Sequence, residues 1–85
     1  MDKRETGILV VDDELIVRES LTKWFREDGF RSEAAENAAA ALRKLQNSNW
    51  DISLVDIKMP GMDGIELLQR MKELKPDMSV IIITA

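Results

Sequence analysis

The sequence contains no cysteine and no histidine. Without cysteine, a disulfide framework and thiol chemistry are excluded, and the composition fits a reducing compartment. Without histidine there is no imidazole base, no histidine phosphocarrier and no imidazole metal ligand. A metal bound here must take oxygen ligands, which selects hard cations such as Mg2+. A basic excess is lacking too. Twelve Lys and Arg stand against sixteen Asp and Glu, for a net charge of −4, which argues against direct nucleic-acid binding by this segment. Long apolar runs are also missing. The first six residues are charged or polar apart from Met1, the run Ile8–Val11 is far too short for a signal core, and no stretch approaches a membrane-spanning length. A cytoplasmic location with no membrane contact is therefore expected.

What is present is 85 residues, 45% hydrophobic and 33% charged. That composition fits one soluble globular domain rather than a disordered tail. A chain this short buries roughly 60–65% of its unfolded surface, so marginal stability is expected.

Gly7–Val11 reads as a strand buried on both faces, because its apolar residues run on without alternating. Asp12-Asp13-Glu14 follows. A helix comes next, with Val17, Leu21, Trp24 and Phe25 on one face and Gly29 as its stop. Trp24 is expected in the core. Phe30–Ala34 alternates, as an edge strand does. Asn37 is placed to cap a second helix with an inward stripe of Ala38, Ala41, Leu42 and Leu45, broken at Asn47-Ser48-Asn49. Arg43 and Lys44 read as a solvated helix face, and Trp50 as partly buried. A third strand, Ile52–Val55, ends on Asp56. Asp63 with Glu66 matches a capping box for a third helix carrying Leu67, Leu68, Met71 and Leu74 inward, ended by Lys75-Pro76-Asp77. Met59, Met62 and Met71 read as packing residues. Ser79–Thr84 is a fourth strand. The order β-α-β-α-β-α-β with two-sided apolar strands means an α/β fold, a parallel sheet with helices on its faces. The chain stops one residue after that strand, so Ile81–Ile83 are expected to leave apolar surface uncovered.

In parallel α/β sheets, ligands sit beyond the carboxyl ends of the strands. Asp12 and Asp13 end the first strand, Asp56 the third and Thr84 the fourth. If the first and third strands are neighbours, three carboxylates converge, and their repulsion calls for a cation or raised pKa values. Carboxylate oxygens, a backbone carbonyl and water suit Mg2+. A carboxylate can then act as nucleophile toward a phosphoryl group, with a hydroxyl such as that of Thr84 hydrogen-bonding a phosphoryl oxygen. The plainer alternative makes Asp12 or Asp13 a cap of the first helix and Lys58 a solvated loop residue.

These residues resemble the receiver domains of bacterial response regulators. Ile8-Leu9-Val10-Val11-Asp12-Asp13-Glu14 is similar to the family's opening strand and acidic pair. The stretch from Val55 through Asp56 and Lys58 to Gly64 is similar to its phosphoacceptor strand and loop. Val80–Ala85 is similar to its fourth strand and switch hydroxyl. The resemblance implies a flavodoxin-like sheet of order 2-1-3-4-5, here incomplete over residues 1–85, since the family continues with a further helix, a lysine-bearing strand and a last helix. It implies Asp56 as acceptor of a phosphoryl group from a sensor histidine kinase. It implies direct Mg2+ ligation by Asp13, Asp56 and the Lys58 carbonyl, with Asp12 acting mainly through water, and Thr84 as switch. It also implies an effector controlling transcription, in the subgroup that activates sigma-54 promoters, and no enzymatic turnover. Self-association through uncovered surface is a further expectation. Two other readings stand beside this one. One is a non-phosphorylated interaction module of the same fold. The other is a phosphatase of the haloacid dehalogenase class, which wants Asp-x-Asp where this chain has adjacent aspartates.

Overall fold

The computed structural model describes residues 3–58 and 64–83. After a single 3-10 turn at Lys3–Glu5, which the sequence pattern did not suggest, the elements run β1 (Gly7–Val11), α1 (Leu15–Glu27), β2 (Arg31–Ala35), α2 (Ala38–Asn47), β3 (Ile52–Asp56), α3 (Gly64–Leu74) and β4 (Ser79–Ile83). The four strands form one parallel sheet in the order β2-β1-β3-β4. This is the expected α/β alternation, with β1 and β3 side by side.

The unbroken apolar run of β1 has its explanation in the layers. All five residues are buried. Successive side chains point to opposite faces. Leu9 and Val11 join the core cluster with Ala38, Ala41 and Leu45 of α2, Val55 of β3, and Leu67 and Met71 of α3. Ile8 and Val10, also buried, face the other way, where α1 lies against β1 and β2. The short side chains of α2 let that helix approach the sheet closely. Asn37 caps it as expected, its side chain accepting from the Ala40 amide at 2.8 Å.

Several outward positions differ from expectation. Trp24 is not a core residue: it is 68% exposed, while Val17, Leu21 and Phe25 of the same stripe are half-buried. The stripe spans more of the helix circumference than the β1–β2 contact covers, and Trp24 sits at its outer margin. Leu74, at the last turn of α3, is likewise 42% exposed. In contrast, Trp50 is fully buried. Its indole N–H donates to the Lys44 carbonyl at 3.1 Å, and the Arg31 guanidinium lies 4.3 Å from its ring centroid. Lys44 is half-buried and pairs with Glu33 at 2.9 Å, so only Arg43 of that pair is a simple solvated residue. β2 begins one residue later than its alternation suggested. Gly29 has φ 98°, the left-handed stop that only glycine adopts readily. Phe25 and Phe30 close that turn edge to face, with centroids 6.4 Å apart. Ile81 and Ile82 of β4 are about half exposed, as expected. The capping role assigned to Asp63 and the packing role assigned to Met59 and Met62 lie outside the described residues.

Leu67→Ala, which empties a fully buried site between α3 and the sheet, is expected to lower the unfolding free energy by about 2–5 kcal/mol. Trp24→Ala is expected to change it by no more than about 0.5 kcal/mol. Urea denaturation read on the remaining buried Trp50 measures both.

Candidate functional site

The parallel register pairs Val11 of β1 with Val55 of β3. One residue further along each strand stand Asp12 and Asp56, and Asp13 follows in the β1–α1 turn. The three carboxylates each bring an oxygen to within 4.8 Å of the other two. Asp12 is buried, Asp56 half-buried and Asp13 exposed. The convergence that depended on β1 and β3 being neighbours is therefore observed.

Asp12 and Asp56 are held by backbone groups. The Asp12 amide donates to the Ala35 carbonyl at 3.1 Å, extending the β1–β2 ladder by one bond. Its Oδ1 accepts from the Glu14 amide at 2.9 Å. Glu14, not Asp12 or Asp13, is the residue at the N-cap of α1, and its own side chain caps nothing. The cap alternative for the acidic pair thus reduces to a local turn bond made by Asp12. Asp56 Oδ1 accepts from the Lys58 amide at 2.9 Å. A carboxylate has two oxygens with about four lone-pair directions, so both bonds leave capacity for a further ligand.

Electrostatics set the cost of this arrangement. Two full charges about 5 Å apart repel by roughly 3 kcal/mol at an effective dielectric of about 20. That is a large fraction of the 5–15 kcal/mol stability typical of a domain. A group of oxygens so arranged, one buried and one open to solvent, fits a small divalent cation that keeps part of its water shell. The fit rests on the donor set alone.

Two contributors were not singled out from the sequence. Arg18, one turn into α1, donates through Nη1 to the Asp12 carbonyl at 2.9 Å. Gly64, the first residue of α3, is buried against Ile57. A Cβ there would stand 2.7 Å from the Ile57 Cβ and 2.8 Å from its Cα and carbonyl oxygen. A glycine at a helix start and an arginine in a helix face carry no distinctive sequence signal, because each acts through a contact across the fold. Lys58 is an exposed turn residue. Thr84 lies outside the described residues.

The model of the response regulator receiver domain matches residues 8–85. The chain belongs to the response regulator receiver family. Sporulation initiation phosphotransferase F of Bacillus subtilis is 42% identical over 78 residues, covering 92% of this receiver and 63% of that protein. A CheY-like receiver domain protein from Methanospirillum hungatei superposes with a TM-score of 0.90 at 35% identity, covering 93% of this chain and 63% of that one. The response regulator TrrA of Thermotoga maritima has been solved with Mg2+-BeF and in complex with the histidine kinase ThkA. It superposes with a TM-score of 0.85 at 40% identity, covering 94% of this chain and 70% of the first structure's chain. The receiver thus spans less than two thirds of the length of sporulation initiation phosphotransferase F. Its function class is that of two-component signalling. Among the described residues no helix is long and apolar enough to cross a membrane.

Replacing Asp13 by Asn removes one charge from the cluster at its exposed corner. In metal-free buffer the variant is expected to melt at a higher temperature than the native chain. Saturating Mg2+, which at a hundredfold excess over the dissociation constant stabilises a one-site protein by about 2.7 kcal/mol, is expected to raise the native midpoint and leave that of the variant nearly unmoved. Thermal scans with and without Mg2+ measure both effects.

Proposed function

We propose that this receiver takes a phosphoryl group onto Asp56 from the phosphohistidine of a sensor kinase. The observation that carries the reading is the meeting of three carboxylate oxygens within 4.8 Å at the carboxyl edge of β1 and β3, in a chain of the receiver family. Asp56 supplies the nucleophile. A carboxylate oxygen forms a bond to phosphorus while the P–N bond to the donor imidazole breaks, and the nitrogen leaves with the electron pair. The bond from the Lys58 amide to Oδ1 holds the Asp56 carboxylate in one orientation, which serves in-line attack. Asp13, Asp56 and the Lys58 carbonyl would hold Mg2+ directly, with Asp12 acting mainly through water. When bound, Mg2+ offsets negative charge on the transferring phosphoryl group. Thr84 would donate its hydroxyl to a phosphoryl oxygen.

In this reading the chain is a cytoplasmic signalling module without turnover of its own, and its output passes to an effector. Control of transcription, in the sigma-54 subgroup, is the output the loop and third helix suggest. The kinase as partner is supported by TrrA, which forms a complex with a histidine kinase.

Intact-mass analysis with a small-molecule phosphodonor tests the assignment. The native chain is expected to gain one phosphoryl adduct that requires Mg2+, and Asp56→Asn none. An adduct that survives in the Asn variant would sink Asp56 as acceptor. No adduct on this chain, but one on a longer chain that carries the family's lysine-bearing strand, would place the requirement in that strand, and no adduct on either would leave a non-phosphorylated interaction module.

A further inference from the structure

Arg18 joins the first turn of α1 to the strand end that carries the acidic cluster. Its backbone amide donates to the Glu14 carbonyl at 3.1 Å, which closes the first turn of α1. Its side chain reaches back and donates from Nη1 to the Asp12 carbonyl at 2.9 Å. Between those two points Asp12 Oδ1 accepts from the Glu14 amide at 2.9 Å, and the Asp12 amide is tied to Ala35 of β2 at 3.1 Å. Residues 12–14, the turn that carries two of the three clustered carboxylates, are therefore clamped at both ends by one residue. The Thr22 hydroxyl, buried one turn on, donates to the Arg18 carbonyl at 2.8 Å and seats that residue in the helix.

We propose that Arg18 is a positioning residue for the divalent-cation site: its guanidinium holds the β1–α1 turn so that Asp12 and Asp13 present their oxygens toward Asp56. The inference rests on the reading of Asp12, Asp13 and Asp56 as the Mg2+ site. The physical case lies in two opposed effects. Arg18 is a cation close to a cation site, so by charge alone it weakens Mg2+ binding. By orientation it strengthens binding, because the three aspartates repel one another and the turn carrying two of them would otherwise relax outward. A ligand cluster that must be held against its own repulsion depends on the groups that pin its backbone, and loss of such outer contacts commonly costs tenfold or more in metal affinity. Asp12 is buried and Arg18 half-buried, so the bond is partly screened from water and has a fixed geometry. Orientation is the larger effect in this proposal.

The sign of the change on mutation separates the two. Arg18→Met keeps the apolar stem and removes both the donor and the charge. Mg2+ is titrated into the 15N-labelled 85-residue chain while the backbone amides of residues 12–14 are followed by NMR, and thermal midpoints are taken in metal-free buffer. Arg18→Met is expected to raise the Mg2+ dissociation constant about tenfold. Arg18→Lys, which keeps the charge but lacks the planar fork, is expected to fall between the variant and the native chain. Unchanged or tighter Mg2+ binding in Arg18→Met overturns the proposal, even if the metal-free midpoint drops, since a purely structural role moves stability and a purely electrostatic one tightens binding. If the Met variant does not fold, Arg18→Lys decides: native affinity in a folded Lys variant overturns the proposal. Asp13→Asn is run beside them. If the native chain shows no Mg2+ response in these amides, the metal reading falls and this inference with it. If the native chain responds, Asp13→Asn does not, and Arg18→Met behaves as native, the metal site stands and the role of Arg18 alone falls.

Discussion

The pairing of β1 with β3 governs the rest of the molecule. A parallel register that sets Val11 beside Val55 leaves the chain no choice about what comes next: Asp12 and Asp56 emerge side by side, with Asp13 one residue behind. Like charges this close repel, and backbone amides hold Asp12 and Asp56 in place. The Asp12 amide extends the ladder to β2, and the Lys58 amide secures Asp56. The repulsion built into the site is also what makes it receptive to a cation.

That constraint explains where the rigid parts lie. β1 is buried on both faces, so its end cannot drift, and β3 presents Ser53 and Val55 to the α2–α3 layer. The buried Ser53 hydroxyl contacts the Met78 sulfur at 3.2 Å, joining β3 to the turn before β4. On the far side of Asp56, Gly64 lets α3 rest directly on Ile57. A larger residue would push the helix away from the strand end and move the chain that follows Asp56. The site is thus a set of turns anchored to a stiff platform, which is the arrangement that lets short loops hold charged groups in fixed positions.

Much of this was legible in the residues. Unbroken apolar runs at Gly7–Val11, the 3.6-residue stripe of α2, the cap at Asn37 and the stop at Gly29 identify their elements because each follows from local chemistry: a side-chain period, a hydrogen bond three residues away, a backbone angle. Asp12, Asp13 and Asp56 stood out because they follow apolar strands directly, at the carboxyl ends where parallel α/β sheets place their ligands. The readings that failed concern outward limits. Trp24 fits its stripe by period, yet the neighbouring surface ends before it. Leu74 fits its own stripe and lies past the edge of the core. Trp50, taken as partly buried, is enclosed by an arginine and a helix carbonyl from two separate elements.

The sequence by itself determined the order of elements, the two-sided burial of β1 and the identity of the acidic residues, since these depend on side-chain type and spacing along the chain. Only the tertiary structure decided that the acidic residues meet, because that requires β1 and β3 to be adjacent and in register. It alone decided which apolar residues are covered, because coverage depends on how far the facing element extends. It also revealed the contacts of Arg18 with Asp12 and of Gly64 with Ile57. No periodicity along the chain encodes a bond between a helix face and a strand end, since such a bond exists only once the sheet has set the two within reach.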